Sequence, residues 1–187
     1  MKFLRAISIF FVSLAMTACA GKPYIVYHKP QPLMISTTCP IAVLEFAPPD
    51  YSSEQIAGKV ISNYFEMLIP TTKCSVVNRM NIRDIINEQQ FQLSGLTDDS
   101  TAIRIGRMVG ARSVLIGQVI SYKKRGVLFS KTHTVTFQCK LLSVETGNIL
   151  FSTTSQYEDV AEVLPSLEQM AGYLVEATIA KMGEVPE

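Results

Sequence analysis

The sequence has few of the residues from which enzymes usually build a catalytic centre. Only two histidines occur in 187 residues, and the four cysteines show no C-x-x-C or other metal-binding spacing. His28 and His133 have no partners at a spacing that defines a catalytic triad or a metal site. The acids Asp98 and Asp99 directly precede a Ser-Thr pair and are typical of a helix start, where they suit the helix dipole. We therefore predict that the protein is not an enzyme and uses no cofactor or metal.

The chain also lacks a large excess of charge and a long hydrophobic run. Lys and Arg number 17 against 16 Asp and Glu, so no strong field attracts nucleic acid, and we predict no nucleic-acid partner. The N-terminal apolar run Ala6–Ala15 is much shorter than the ~20 residues of a transmembrane helix. It has the length expected of the hydrophobic region of a secretory signal.

The N-terminus indicates a bacterial lipoprotein. Two basic residues precede the apolar run, and "MTAC" resembles a lipobox with Met16 where Leu is most usual. We predict cleavage between Ala18 and Cys19 and lipid attachment at Cys19. The alternative is an ordinary signal peptide with a chance cysteine. Ala20 is not the Asp that would indicate inner-membrane retention, so we predict an outer-membrane location facing the periplasm.

The chain beyond this signal has the size of one domain. Without residues 1–18 it has 15 basic and 16 acidic residues, a net charge of −1. Residues 19–38 contain three prolines and no sustained period, which predicts a lipidated tether that reaches at most about 65 Å. Residues 39–182 are the predicted periplasmic domain, and residues 183–187 form a C-terminal tail.

The first half of the domain alternates strands and helices. Pro40–Phe46 and "CSVVNR" read as buried strands. Ser52 or Ser53 is a candidate helix cap. Three helices are predicted: one with an apolar stripe, one over "IRDIINEQQF", and one over "TAIRIGRMVG" that ends at Gly110. The predicted stripe consists of Ile56, Val60, Tyr64 and Met67/Leu68.

The second half indicates antiparallel hairpins. "RSVLIGQVISY" predicts a long strand, and "KTHTVTFQCKLLSV" alternates with Val135, Phe137, Cys139 and Leu141 on its buried face. "ETGN" predicts a tight turn into "ILFSTTSQY", and Val160–Met182 predicts an amphipathic helix. The fold class is therefore α/β: a mixed sheet of about five strands (β-α-β-α-α, then a β-meander) with packed helices and an amphipathic C-terminal helix.

The remaining cysteines suggest one bridge. In a right-handed β-α-β unit both parallel strands start at the same end of the sheet. Cys39 precedes the first strand and Cys74 starts the second, so we predict a Cys39–Cys74 disulfide, which an oxidising periplasm permits. The alternative is two separate thiols. Cys139 falls on the apolar face and is predicted to be a buried free thiol that acts as a small hydrophobe.

Two short motifs are open to functional interpretation. "GRMVG" matches G-x-x-x-G, but Arg104 and Arg107 exclude an apolar membrane helix, so close helix–strand packing and a helix end are the better interpretation. In "YKKRGVLFSK" three bases, Lys123, Lys124 and Arg125, flank a predicted hairpin tip. The tip consists of Val127, Leu128 and Phe129, which would present an apolar contact site. The alternative is a tip that folds back over the domain or is solvated.

Four stretches resemble, in order, the periplasmic domain of the curli-secretion (CsgG-like) lipoprotein family. They are "IAVLEF", "VVNRMNIRDIINEQQ", "SGLTDDSTAIRIGRMVGARSVLIGQVISY" and "FQCKLLSVETGNILFS", which together cover roughly Pro40 to Ser155. "GLTDDSTAIRIGRMVGA" is also similar to the lipoproteins of related fold that activate a peptidoglycan synthase. Both resemblances imply a non-enzymatic role.

The lengths of the connections depart from the curli-secretion pattern. That family inserts two hairpins into the outer membrane, and a membrane strand needs about 9–11 residues. Here the first connection is predicted to run only from Tyr122 to Lys131, and the second is the "ETGN" turn. The family's constriction loop would correspond to "APPDYSS", with Pro48 and Tyr51 as its candidate contact residues. A membrane channel is therefore not implied.

These observations predict a non-enzymatic, outer-membrane-anchored periplasmic lipoprotein that assists assembly or secretion of an envelope or surface structure. Its expected partners are the outer membrane through the lipid, other envelope proteins, and by family analogy further copies of itself. The alternatives are a regulator that activates a peptidoglycan synthase and, as a minor one, a periplasmic hydrolase.

Overall fold

The computed structural model describes residues 22–30, 33–49, 55–88, 98–127, 130–161 and 164–183. The strands are β1 (Tyr24–His28), β2 (Ile41–Val43), β3 (Ser113–Val127), β4 (Ser130–Ser143) and β5 (Ile149–Ala161). The helices are α1 (Ala57–Leu68), α2 (Arg79–Glu88), α3 (Asp99–Met108) and α4 (Leu167–Gly183), with short 3-10 segments at Ile35–Thr38 and Ile69–Thr72. No helix among these residues is long and apolar enough to cross a bilayer.

The five strands form one mixed sheet in the order β1-β5-β4-β3-β2. β2 runs parallel to β3, and the other neighbours are antiparallel. The predicted mixed α/β fold with a C-terminal helix is confirmed. One of its strands was misassigned, because "CSVVNR" contributes only a single parallel bridge between Val76 and Ile41. The fifth strand is β1 instead.

β1 lies within the predicted tether. Its residues pair in register with Ser152–Gln156 of β5. The Thr153 hydroxyl donates to the Val26 carbonyl at 2.8 Å, and the Tyr27 ring stacks on Phe151 with centroids 6.0 Å apart. The predicted tether over residues 19–38 is therefore too long, because part of it belongs to the sheet. The sequence does not reveal β1 for two reasons: five residues beside prolines show no clear period, and their hydrogen-bond partners lie more than 120 residues away in the chain.

Helices pack on both faces of the sheet. One face carries α1 and α4 over a large core, in which Val135, Phe137, Cys139 and Leu141 are buried as the alternation in β4 predicts. Burial raises the pKa of the free Cys139 thiol far above its usual range. On the opposite face α2 and α3 cover a smaller core near β2, and most of the other side chains on that face are polar, with Val26 and Val160 as exposed apolar exceptions.

The apolar stripe predicted for the first helix is displaced by one residue. The residues that pack fully into the core are Ala57, Ile61 and Phe65, whereas Ile56 is 63% exposed. Val60, Tyr64 and Leu68 of the predicted stripe are partly buried and pack against the margin of this core. Both lines of residues are apolar, so the sequence alone does not decide which one faces the sheet. The helix begins at Ala57, and the predicted caps Ser52 and Ser53 lie outside the described residues.

The ends of the third helix follow the sequence closely. Asp98 caps α3 by accepting from the Thr101 amide at 2.8 Å. Gly110 follows the helix with φ +70°, as a left-handed helix end requires. A Cβ added at Gly106 would overlap the Val114 side chain and come within 2.7 Å of Val144 Cγ2. The G-x-x-x-G motif therefore serves helix–strand packing, as predicted.

Two predicted boundaries in the second half are wrong. The segment from Tyr122 to Lys131 is not a connection, because β3 continues to Val127 and β4 begins at Ser130. Val160 belongs to β5, so the last helix begins only at Leu167. In both places antiparallel pairing across three strands extends the ladder beyond the residues whose local pattern indicates a strand.

Candidate functional site

Strands β3, β4 and β5 continue past their outer neighbours in the sheet. β2 pairs with β3 only at Ser113–Leu115, with one further bridge at Gln118, and β1 pairs with β5 only at Ser152–Gln156. Beyond these points lies a three-stranded segment of residues 121–127, 130–135 and 157–161, which we call the sheet extension. Within the described residues its two outer strands have no further strand beside them.

The sheet extension carries bases on one edge and acids on the other. Two cross-strand rows show this: Lys123–Thr134–Glu158 and Lys124–His133–Asp159, each running from β3 through β4 to β5. Successive side chains of a strand point to opposite faces, so each face of the extension has a basic β3 edge and an acidic β5 edge. Lys124, Arg125 and Glu158 are exposed, whereas Asp159 is buried.

His133 has a structural contact at the base of this arrangement. Its ring is buried, and Nδ1 lies 2.7 Å from the Pro165 carbonyl oxygen. A carbonyl oxygen can only accept, so Nδ1 donates this hydrogen bond and the ring holds β4 against the start of α4. No group of three or more potential metal ligands occurs in the part of the chain that the structure describes.

The structure places four of the predicted contact residues, Pro48 and the three bases, on one strand edge. The amide of Ala47 donates to the Gly117 carbonyl at 2.9 Å, and the Val119 amide donates to the Ala47 carbonyl at 2.8 Å. Pro48 is the next residue, so it lies on the same edge of β3 as the three bases, at the point beyond which no described strand pairs with that edge. The Val127 side chain, Leu128, Phe129 and Tyr51 lie outside the described residues, as do Ala18 and Cys19.

The cysteine pair lies at the opposite end of the sheet. Cys39 and Cys74 form a disulfide, with their Cα atoms 5.5 Å apart. Next to it the Ile41 amide donates to the Ser75 carbonyl at 3.0 Å, and the Val77 amide donates to the Ile41 carbonyl at 2.9 Å. The bridge therefore links the start of β2 to residues 74–77 and takes no part in the sheet extension.

A groove lies on the polar face of the sheet, between β1 and β3. Its volume is about 380 Å³, near the lower limit for small-molecule pockets. Polar side chains from four strands and from Glu45 line it: His28, Gln118, Gln138, Lys140, Ser152 and Thr154. Lys140 Nζ is 3.5 Å from an Asp99 carboxylate oxygen. This surface offers donors and acceptors with charges of both signs.

The acids Glu158 and Asp159 are absent from the sequence-based site. The sequence does contain a signal for these acids, namely the register of β4 and β5 counted from the "ETGN" turn, which places them opposite Thr134 and His133. However, the bulge between Leu141 and Leu142 shifts this register by one residue. The register therefore follows from the sequence only when that bulge is known.

Comparison with known proteins identifies one family. A family model described as peptidoglycan-synthase activator LpoB matches residues 52–157, which is more than half of the 187 residues. These comparisons do not support the resemblance to the curli-secretion family, but they do support the resemblance to the related activator family. No curated protein sequence matches the chain significantly.

Several solved structures share the fold. The PelC dodecamer from Paraburkholderia phytofirmans has a TM-score of 0.62 at 16% identity over 88% of this chain and 100% of that chain. Lipoprotein GNA1162 from Neisseria meningitidis has a TM-score of 0.59 at 15% identity over 75% and 95%. The LpoB C-terminal domain from Salmonella enterica has a TM-score of 0.42 at 21% identity over 62% and 79%. The first two similarities show the shared fold.

Proposed function

We propose, from the premise that this chain belongs to the peptidoglycan-synthase activator LpoB family, that it is a lipid-anchored envelope protein that binds and stimulates a peptidoglycan synthase. The observation that carries this proposal is the family match over residues 52–157. This replaces the assembly role that the curli-secretion resemblance favoured. An activator performs no chemistry itself. It acts because it binds the active conformation of its partner more tightly than the inactive one.

The anchor limits where the partner can be met. In this proposal Cys19 carries the lipid at the periplasmic side of the outer membrane, and β1 begins at Tyr24. Five residues of fully extended chain span only roughly 16–18 Å. The folded domain is therefore held at the membrane surface, and the synthase must bring its contact region to within a domain's width of that membrane.

The polar face of the sheet is the surface we assign to the synthase. Gln118, Gln138 and Thr154 form one row across β3, β4 and β5, and Val26 of β1 continues it. These side chains are exposed or half-buried, whereas the opposite face lies beneath α1 and α4. A regulated, reversible contact suits such a largely polar surface.

The test is glycan polymerisation by a purified peptidoglycan synthase with and without the full-length lipoprotein in detergent. We expect stimulation by the natural chain and a large loss with Gln118→Arg plus Gln138→Glu. Lys59→Ala, on the exposed side of α1, should retain full stimulation as the matched control. If the natural chain neither stimulates nor co-purifies with a synthase, the proposal fails.

A second candidate is a role as a subunit of an oligomeric envelope assembly. Two observations favour it: the fold is shared with the whole chain of a dodecameric protein, and the sheet extension has opposite charges on its two edges. Light scattering of the detergent-extracted protein tests it. A particle that contains several copies supports this role, and a single copy at all concentrations refutes it.

A further inference from the structure

A large cavity lies at the end of the sheet where β4 turns into β5. Its volume is about 1020 Å³, at the upper end of the range for small-molecule sites. Its walls come from three parts of the chain: described residues between β1 and β2, the residues that join α3 to β3, and the β4–β5 turn with the strand ends beside it. The cavity shares no lining residue with the groove on the polar face, so it is a separate site.

Two arginines line this cavity, and main-chain contacts fix the position from which each side chain extends. Arg107 lies in the last turn of α3, and Arg112 directly precedes β3. The Arg112 amide donates to the Pro40 carbonyl at 2.8 Å, and the Arg112 carbonyl accepts from the Val144 amide at 2.9 Å. The Arg107 carbonyl accepts from the Gly110 amide at 3.3 Å. The helix end and the sheet therefore hold both arginines beside the same cavity.

The charges that line the cavity favour an anion. Both arginine side chains are exposed, and in the described part of the chain neither forms an ion pair, because the two ion pairs found there lie elsewhere. Glu145 is the only acid among the lining residues, so two positive charges stand against one negative charge. A guanidinium group can donate two parallel hydrogen bonds to a phosphate or a carboxylate. The charged part of the cavity therefore suits an oxyanion.

The rest of the lining suits an anion that carries an apolar group. Leu33 and Val144 are buried apolar residues of the wall, and Ile149 is 37% exposed. Ser143 and Asn148 add polar groups beside them. Inorganic phosphate is much smaller than this cavity and would leave the apolar side chains in contact with water, whereas an amphiphilic ligand would cover them.

We infer that this cavity binds the headgroup of an anionic phospholipid. Arg107 and Arg112 donate to the phosphate oxygens, and the apolar wall contacts the first part of the acyl chains. The anchor at Cys19 in the proposed function brings such lipids within reach. Pro30 lines the cavity and follows Tyr24 by six residues, which is roughly 20 Å of extended strand. A tether of roughly 16–18 Å therefore allows the cavity to lie at the same membrane.

Binding of this kind rests on the proposed function only for the anchor and requires no synthase. Arg107 has an alternative role, because a base in the last turn of a helix stabilises the helix C-terminus. That role does not explain Arg112, which lies outside the helix and lines the same cavity. A shared anionic ligand accounts for both arginines.

Titration of the complete mature chain, residues 19–187 with Cys19→Ser, measures headgroup binding without the anchor. The probe is dihexanoyl phosphatidylglycerol below its critical micelle concentration, and amide NMR shifts give the site and the affinity. We expect saturable shifts at Gly110–Arg112 and Ser143–Asn148. Arg107→Gln plus Arg112→Gln should weaken binding about tenfold, because two charged hydrogen-bond donors are lost.

Lys124→Gln plus Arg125→Gln is the matched control. It also removes two positive charges, from residues at the opposite end of β3 that are exposed as well, and it should retain the natural affinity. An equal loss in both double variants would show attraction by overall charge and overturn the inference. Saturable shifts confined to other surfaces would overturn it too. Unchanged amide shifts far from the cavity check that each variant is folded.

Two other probes separate the lipid from the free ion and from the acyl chains. Inorganic phosphate should bind about tenfold more weakly, because it leaves the apolar wall uncovered. Equal affinity for phosphate would indicate an ion site only and overturn the lipid assignment. Dihexanoyl phosphatidylcholine should also bind more weakly, because the arginines repel its choline cation. Equal affinity for it would refute the role of the arginines.

The activator function is measured separately, by glycan polymerisation. No shift with any of the three probes would refute lipid binding in this cavity and leave stimulation of a synthase intact. Conversely, a chain that binds the anionic lipid without stimulating a synthase would refute the activator function alone.

Discussion

The hydroxyl oxygens of Ser155 on β5 and Thr178 on α4 lie 2.8 Å apart in the core. Both residues are fully buried, and the Thr178 hydroxyl also lies 2.7 Å from the Leu174 carbonyl oxygen, to which it donates. Because the Thr178 proton goes to Leu174, Ser155 donates the hydrogen bond between the two hydroxyls, at the place where the C-terminal helix crosses the sheet. A buried hydroxyl without such a partner is costly.

Thr178→Val should therefore destabilise the fold more than its small change in volume suggests. Ser155 would retain only the weaker contact to Thr153 Oγ1 at 3.3 Å, so we expect a loss of about 1–2 kcal/mol in the free energy of unfolding. Urea denaturation of Thr178→Val, Ser155→Ala and the double variant measures the coupling. If the two losses simply add, the hydrogen bond contributes nothing.

The Cys39–Cys74 bridge should contribute substantially to stability. It joins residues 35 apart in sequence, and loop-closure entropy predicts roughly 3–4 kcal/mol for a loop of this size. Cys39→Ser plus Cys74→Ser should lower the free energy of unfolding in urea by about 2–4 kcal/mol. Cys139→Ser serves as a comparison outside the bridge. Two free thiols at these positions in the mature protein, detected by alkylation and mass spectrometry, would contradict the disulfide.

Capping by Asp98 should make stability depend on pH in the acid range. Hydrogen bonds from the Ser100 hydroxyl and from the amide and hydroxyl of Thr101 lower the pKa of this carboxyl to about 2, from an ordinary value of 3.8. The ionised cap therefore contributes its full stabilisation above about pH 4. That stabilisation is lost as the pH falls toward 2, because protonation removes the charged acceptor.

Asp98→Asn should flatten this part of the pH dependence, because the amide can still accept a hydrogen bond but does not titrate. Denaturation midpoints at several values between pH 2 and 5 provide the measurement. Glu145→Gln, an exposed acid of the β4–β5 turn, should retain the natural slope. An unchanged slope in Asp98→Asn would show that other carboxyls dominate acid unfolding.

β1 should behave as part of the folded domain. Replacing Tyr24–His28 with an equally long Gly-Ser sequence removes the ladder to β5 and the Tyr27–Phe151 stacking. We expect faster hydrogen exchange at the amides of Ser152–Gln156 that face β1, while those in the centre of β4 keep their protection. Unchanged exchange at Ser152–Gln156 would mean that β1 does not pair in solution.

Some features were predictable because their signals are local. The alternation in β4 assigns its buried face, and the Asp98 cap and Gly110 mark the ends of α3. Each of these signals depends on residues within a few positions of one another. The side of α1 that faces the core was not predictable, because two adjacent rows of apolar residues begin at Ile56 and at Ala57. Only packing against the sheet decides that the row from Ala57 is the fully buried one.

The sequence by itself determined the lipoprotein-like N-terminus, the types of most elements and the faces of the long strands. Only the tertiary structure decided that β1 completes the sheet and that Lys123 and Glu158 share a row. The physical reason is that strand pairing joins residues far apart in the chain. Its register depends on bulges and turns, and a slip of one residue moves every side chain to the other face.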